Sequence, residues 1–222
     1  MAGYLGNIPT AVPLSSADLA DGIITTAKIA DGNITSTKIL DGTIVNADIN
    51  ASAGIVTSKL SGALGITEAD VFRLTTSFSG DANPIASNWE RADDTSSGLL
   101  GTGMTQSSGV FTFPSTGIYY VTFTHNFFSL SDDRAVGNAI SVSTNGGSTF
   151  DTTSESYGFV KLVSGGSNNV DSATASCLID VTSTANVKVR FSVSKLSSSA
   201  PNTFGDSNVN STFVTFIRLG DT

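Results

Sequence analysis

The sequence predicts a mainly β chain with two parts, an elongated trimeric repeat shaft followed by a jelly-roll β-sandwich head. Three observations predict it. Asp-Gly recurs every ten residues near the N-terminus, apolar and polar residues alternate through most of the remaining chain, and charged residues make up only 14% of the total. Low charge with abundant Gly, Ser and Thr is typical of strands joined by tight turns.

The repeat segment occupies residues 16–63. Its Asp-Gly pairs begin at Asp21, Asp31 and Asp41. Two apolar series run in phase with these pairs, one at Ile24, Ile34 and Ile44, the other at Leu19, Ile29, Ile39, Ile49 and Leu60. This spacing excludes both a heptad coiled coil and collagen, and it indicates a repeat architecture.

A ten-residue unit has too few apolar side chains to bury them within its own chain. Three chains wound about one axis would bring both isoleucine series to the centre. We therefore predict a trimeric shaft of short helical turns or strands that restart at each Asp-Gly, with Ile24, Ile29, Ile34, Ile39, Ile44 and Ile49 along the axis. Candidate caps of the turns are Thr25, Thr26, Thr35 and Thr37. The alternative is a disordered linker, although linkers seldom keep apolar residues in phase.

Residues 64–70 are predicted to form a junction, in which Thr67 caps a single turn, and residues 71–222 to form the head. Period-two alternation is clear in NVKVRFSVSKL, where Val187, Val189, Phe191 and Val193 share one face. Eight or more such segments, separated by Gly, Ser and Asn turns, indicate a sandwich or jelly roll.

Two strand segments depart from clean alternation. GIYYVTFTHNFF and STFVTFIRL have large apolar or aromatic residues on both faces. One face fills the sandwich, and the other needs a cover, for which another subunit is the simplest source. The candidates for this head interface are Tyr119, Tyr120, Phe123, Phe213 and Phe216.

A family resemblance lies in the same two segments. GVFTFPSTGIYYVTF resembles the motif of the globular heads of complement and collagen-tailed proteins, which are close to the tumour-necrosis-factor-like jelly rolls. The matching positions are Gly109, Phe111, Pro114, Gly117, Tyr119 or Tyr120, and Phe123. The closing segment STFVTFIRLGD is similar to the last strand of that family. The resemblance implies a tight trimer of ten-stranded jelly rolls on an elongated stalk, here built from ten-residue repeats instead of collagen.

The N-terminal half resembles bacteriophage fibre proteins. GYLGNIP, at Gly3–Pro9, is similar to the opening of many phage virion proteins, and runs such as ADGxITxxKIxDGxI recur in phage fibre shafts. The resemblance implies that residues 1–15 anchor the chain to other virion structural proteins. It also implies a protein made in the host cytoplasm, displayed on the virion as a tail or neck fibre, whose head contacts a host surface glycan or protein.

Charge and hydropathy exclude several other classes of partner. A net charge of −8 disfavours nucleic acid, because binding to phosphates needs a basic face. No apolar run approaches the roughly 20 residues that span a bilayer, so we expect no membrane insertion. The first residues, MAGYLGNIPTAVP, lack the pattern of a secretory signal.

Residues with chemically active side chains favour no catalytic site, cofactor or metal. The single histidine, His125, lies in a strand with aromatic neighbours and is predicted to be a core or interface residue. Cys177 is predicted to be a small core residue, and Trp89 to lie in the core or an interface rather than against a sugar. The pairs Asp93-Asp94 and Asp132-Asp133 are predicted to be solvated loop charges rather than calcium ligands.

The leading hypothesis is therefore a non-enzymatic structural fibre. One alternative is a secreted trimeric lectin-like binding protein, which the absent secretory signal disfavours. Another is a particle cement or decoration protein with no receptor role. A glycan depolymerase is the enzymatic alternative, and no plausible catalytic set supports it.

Overall fold

The computed structural model describes residues 20–50, 52–55, 65–129, 133–161, 169–195 and 202–222. The predicted particle anchor at residues 1–15, together with Leu19, Leu60 and Asp132, lies outside these ranges. The chain divides into two compact units, Met1–Val56 and Thr57–Thr222. Among the described residues, no helix is both long and apolar enough to cross a bilayer.

Each described repeat folds as the same pair of turns. Glycines Gly22, Gly32 and Gly42 have φ angles of 74°, 79° and 80°. The next amide closes each turn by donating to the carbonyl three residues earlier, as from Ile23 N to Ala20 O at 3.1 Å. A left-handed φ at this position of a turn favours glycine, which explains the recurring Asp-Gly. Single-turn 3₁₀ helices follow at Thr26–Lys28, Ser36–Lys38 and Asn46–Asp48.

These turns confirm the prediction of short helical turns that restart at each Asp-Gly, but the predicted threonine caps are wrong. Thr25 and Thr35 precede their turns in extended conformation without a side-chain cap hydrogen bond, and Thr26 and Thr37 lie inside the turns. Lysines bind the backbone instead. Lys28 Nζ donates to Ile23 O at 2.5 Å, and Lys38 Nζ donates to Asn33 O at 2.6 Å.

The head contains twelve described strands in two antiparallel sheets. The first sheet comprises β1 (Ala69–Leu74), β2 (Thr76–Ser79), β3 (Trp89–Arg91), β6 (Gly117–Ser129), β9 (Asn169–Val181), β11 (Asn202–Asp206) and β12 (Phe213–Gly220). The second comprises β4 (Thr105–Ser107), β5 (Val110–Thr112), β7 (Asp133–Ser143), β8 (Asp151–Val160) and β10 (Lys188–Lys195). The predicted β-sandwich is thus confirmed. The predicted turn at Thr67 is not formed, and β1 begins two residues before position 71.

The long strand β6 organises the first sheet. It pairs with β9 on one side, from Gly117 opposite Val181 to Ser129 opposite Asn169, and with β11 and β12 on the other side. The order along the sheet is β2-β11-β6-β12-β1-β3, with β9 beside β6. The second sheet has the order β4-β5-β10-β7-β8. As a result, β8 and β9 are edge strands of the two sheets.

Aromatic rings fill the space between the sheets. Phe111 lies at their centre, with ring centroids 5.3 Å from Phe191, 5.4 Å from Phe216 and 5.7 Å from Trp89. The indole Nε1 of Trp89 donates to Ile85 O at 2.8 Å, so its polar atom is satisfied inside the core. Trp89 is therefore a core residue, and it presents no face to a sugar.

His125 lies in the same interior layer. Its ring centroid is 5.0 Å from that of Phe127, and its Nε2 is 2.9 Å from Thr203 Oγ1. Burial lowers the pKa of His125 to about 3, because the protonated ring would lose its hydration. The predicted core position of His125 is confirmed.

The buried His125 predicts a loss of stability in mild acid. Its pKa is lower in the folded chain than in the unfolded chain, where it is about 6.5, so below that pH the unfolded state binds more protons. The free energy of unfolding should fall by about 2 kcal/mol between pH 7 and pH 5 from this group alone. Denaturant unfolding of wild type and His125→Gln at both pH values measures how much free energy of unfolding each protein loses. Equal losses in the two proteins would contradict the prediction.

Candidate self-association interface

The outward face of the first sheet, turned away from the second sheet, has an apolar row across three strands. Tyr120 on β6 lies opposite Leu178 on β9 and opposite Ile217 on β12. Tyr120 is 38% exposed and Leu178 is 61% exposed. Three large apolar side chains in cross-strand register form a contiguous patch rather than scattered exposed residues.

A second apolar zone lies near the other end of β6. Phe128 is opposite Val170 on β9, and its ring centroid is 4.3 Å from that of Phe204 on β11. Val170 is exposed, and Phe128 and Phe204 are half-buried. Phe213 on β12, opposite Thr124, lies between the two zones and is also half-buried.

Neutral hydroxyl side chains fill the area between the two apolar zones. They are Thr122, Thr124, Thr174, Ser176 and Thr215. The Oγ1 atoms of Thr124 and Thr174 lie 3.2 Å apart across β6 and β9. From Tyr120 to Phe128, the outward positions of β6 and the residues opposite them contain no Lys, Arg, Asp or Glu. Depletion of charge is typical of the centre of a subunit interface.

The apolar surface continues around the side of the sandwich where β8 and β9 meet. Phe159 N, on β8, donates to Asp171 Oδ2, on β9, at 3.2 Å and joins the two edge strands. Phe159 is 63% exposed and Tyr157 is also exposed. Edge strands with exposed aromatic residues are surfaces that natural proteins usually cover.

Only two of the five predicted head-interface residues lie on this surface. Tyr120 and Phe213 point outward, and their role in an interface stays a prediction. The prediction is wrong for Tyr119, Phe123 and Phe216, which are 1%, 0% and 1% exposed. These three point between the sheets, where their side chains fill the core. Both faces of the two strands are apolar, so the sequence pattern did not distinguish inward from outward positions.

Several outward residues were missed in the sequence. Leu178, Val170, Ile217 and Phe128 belong to the apolar zones but were not among the candidates. Leu178 had a detectable signal, because it follows three polar residues, Ser172, Thr174 and Ser176, on one face of β9. Cys177, on the opposite face, packs against the core, where burial raises the pKa of its thiol. Its prediction as a small core residue is confirmed.

A buried arginine supports the sheet beside Phe213. Arg73 on β1 lies opposite Phe213, and its side chain is only 1% exposed. Its guanidinium forms ion pairs with Glu90 at 3.2 Å, with Asp94 at 3.3 Å and with Asp93. Burying the cation is tolerated because carboxylates surround it.

Asp93 and Asp94 thus lie in a loop, as predicted, and Asp93 is exposed to solvent, but both carboxylates also pair with Arg73. Hydrogen bonds from the hydroxyls of Ser97 and Ser96 hold the pKa of Asp94 well below its usual range. The contact with Arg73 was not predictable, since about twenty residues separate it from these aspartates. Within the described part of the chain, no three His, Cys, Asp or Glu side chains are grouped to hold a metal ion.

In the repeat unit, every side chain described between residues 20 and 55 is exposed. Ile24, Ile34 and Ile44 are 55%, 56% and 55% exposed, and Ile29, Ile39 and Ile49 are 39%, 39% and 41% exposed. The two series therefore have two repeating environments, each reproduced in all three units. The position of these six residues along a trimer axis stays a prediction.

Comparison with known proteins gives a likeness for the head. No protein-family model and no curated protein matches the chain. Among solved structures, the chain is similar to the Eiger TNF of S. frugiperda, with 14% identity and a TM-score of 0.50 over 72% of this chain and 96% of that one. Murine APRIL is similar at 13% identity with a TM-score of 0.48, over 68% of this chain and 98% of that one. At 14% identity the Eiger likeness establishes the fold alone, a TNF-like jelly roll.

A charge placed at Leu178 should prevent self-association of the head. The carboxylate of Leu178→Asp would be buried without a partner in an apolar interface, at a cost of several kcal/mol. Light scattering compares full chains that carry Ile29→Asp and Ile39→Asp, so that the repeats cannot hold three chains together, and adding Leu178→Asp should lower the mass. Thr105→Asp, on the exposed outer side of the second sheet, adds the same charge and should leave the mass unchanged. An unchanged mass for a folded Leu178→Asp would place the interface elsewhere.

Proposed function

We propose that this chain is the protomer of a homotrimeric, non-enzymatic fibre displayed on a bacteriophage particle. Residues 1–15 fasten it to other virion structural proteins, the repeat segment forms the shaft, and the head contacts the host surface. One observation supports this proposal above the others. The three described repeats adopt the same turns, yet none of their described side chains is buried.

Burial of the isoleucines supplies the energy for a trimeric shaft. Full burial of one such side chain contributes about 1.5–3 kcal/mol, which offsets part of the conformational entropy lost when the backbone is fixed. A lone chain with exposed isoleucines has the cost without the gain. Three chains around one axis gain the burial of both series at every unit. The repeat segment is therefore stable only together with sister chains.

The head supports the same assembly independently. On its outward first-sheet face, the positions of β6 from Tyr120 to Phe128 and the residues opposite them are apolar or neutral polar and free of charge. In the TNF-like fold this face forms one side of the sandwich. A homotrimer covers it in each protomer. A particle cement protein would use the same trimer without host contact. A secreted lectin-like protein would use it away from any particle.

Location on the particle tests the fibre role. Purified particles should contain this chain, and gold-labelled antibody against the head should mark thin projections at the tail or neck. Labels spread evenly over the capsid would favour the cement role. Absence from particles, with the protein found free in the medium, would contradict the proposal.

The axis role of the isoleucines has its own test. The double variant Ile29→Asp with Ile39→Asp should expose the shaft to protease, because the axis cannot accommodate clustered carboxylates. The head should remain trimeric. Asn33→Asp with Ser36→Asp adds the same charge at polar positions of the repeat and should remain as resistant as wild type. Limited proteolysis followed by light scattering of the surviving head gives both readouts. Equal resistance of the two double variants would remove these isoleucines from the axis.

A further inference from the structure

Arg190, on the outward side of the second sheet, has no anionic partner among the residues that the structure describes. Its guanidinium carbon lies 4.4 Å from the ring centroid of Phe150, a cation–π contact that orients the group. Its side chain makes no hydrogen bond or ion pair with any described residue, and its buried Nε has no acceptor. A guanidinium carries five N–H donors, so this site offers donors in a fixed position without an acceptor.

The other arginines with described side chains differ in this respect. Arg73, Arg91 and Arg218 each form an ion pair with an aspartate or glutamate. In a chain with 19 acidic and 11 basic residues, a cation finds a carboxylate easily. Around Arg190, however, the strands β4, β5 and β10 contain no Asp or Glu, and Asp151, the residue after Phe150, forms no ion pair with it. The missing partner is therefore a local feature of this surface.

A second cation lies beside Arg190. Lys188 is two residues earlier on β10 and points to the same side of the sheet. Its Nζ donates to Thr112 Oγ1 at 3.1 Å and to Thr184 O at 2.8 Å, which holds the ammonium in place and leaves one proton for another acceptor. Ser141 flanks Arg190 in the sheet. Two positioned cations thus lie among neutral hydroxyl side chains.

We propose that Arg190, oriented by Phe150, and Lys188 bind the acidic group of a host-surface saccharide, a carboxylate or a sulfate. The planar fork of a guanidinium matches either group with two parallel hydrogen bonds. The net charge of −8 opposes long polyanions such as nucleic acid, whereas one acidic sugar group meets only this local positive site.

The assignment of a host-surface saccharide as the ligand rests on the proposed fibre role. The site lies on the outer side of the second sheet, and the candidate self-association interface lies on the outer side of the first sheet. One head can therefore use both surfaces at once. A trimer presents the site three times, so weak single contacts add up to firm attachment.

The test measures binding of defined oligosaccharides to the purified full chain by titration calorimetry at low salt. An oligogalacturonate provides carboxylates, a heparin-derived oligosaccharide provides sulfates, and a maltooligosaccharide is the neutral probe. Wild type should bind at least one acidic probe and not the neutral one. Binding of only one acidic probe supports the site and identifies its anion.

Variants assign the binding to this site. Arg190→Gln should weaken binding by about tenfold or more, the usual loss for a hydrogen-bonded charge, and Arg190→Lys, which keeps the charge without the fork, should lie between. Lys161→Gln removes the same charge from another exposed part of the head and should bind as wild type does. Equal binding by the two glutamine variants, or no acidic preference in wild type, would overturn the proposal.

The outcomes for the two proposals are separable. A protein that labels particle fibres but binds neither acidic probe leaves the fibre role in place and overturns the saccharide site. A protein that is absent from particles but binds through Arg190 keeps the site and overturns the fibre role.

Discussion

Apolar surface that one chain cannot bury is the constraint on which the rest of this molecule depends. The repeat unit places six isoleucines at regular intervals and buries none of them. The head has a complete aromatic core, yet its first sheet still presents Tyr120, Leu178 and Ile217 outward. Both parts therefore leave apolar side chains exposed, although they are built from different local structures. We propose that sister copies cover both surfaces.

Strand β6 connects the interior of the head to this outward surface. Its alternate residues point to opposite faces, so Tyr119 and Phe123 enter the core while Tyr120 lies in the apolar row. Packing inside the sandwich therefore sets the positions of the outward side chains. On β1, which lies beyond β12, the ion pairs of Arg73 with its carboxylates hold the strand beside Phe213.

Local patterns predicted much of this fold, and contacts between distant residues were not predictable. The Asp-Gly period indicated the repeated turns because glycine alone readily adopts their left-handed φ. Alternation indicated the strands, but the two-faced strands β6 and β12 gave no sign of which side faced inward, so Tyr119 was misplaced and Tyr120 was not. The ion pairs of Arg73 with Asp93 and Asp94 depend on tertiary structure. The lack of an ion-pair partner at Arg190 also depends on tertiary structure, and the sequence did not predict it.

The mass of the intact wild-type chain in solution tests the central claim most directly. Sedimentation equilibrium at micromolar concentration should give a single species of three times 22.7 kDa, because the proposed assembly buries the shaft and the sheet face among three copies. A folded, soluble monomer with protease-resistant repeats would show that one chain tolerates its exposed isoleucines, and it would contradict the account.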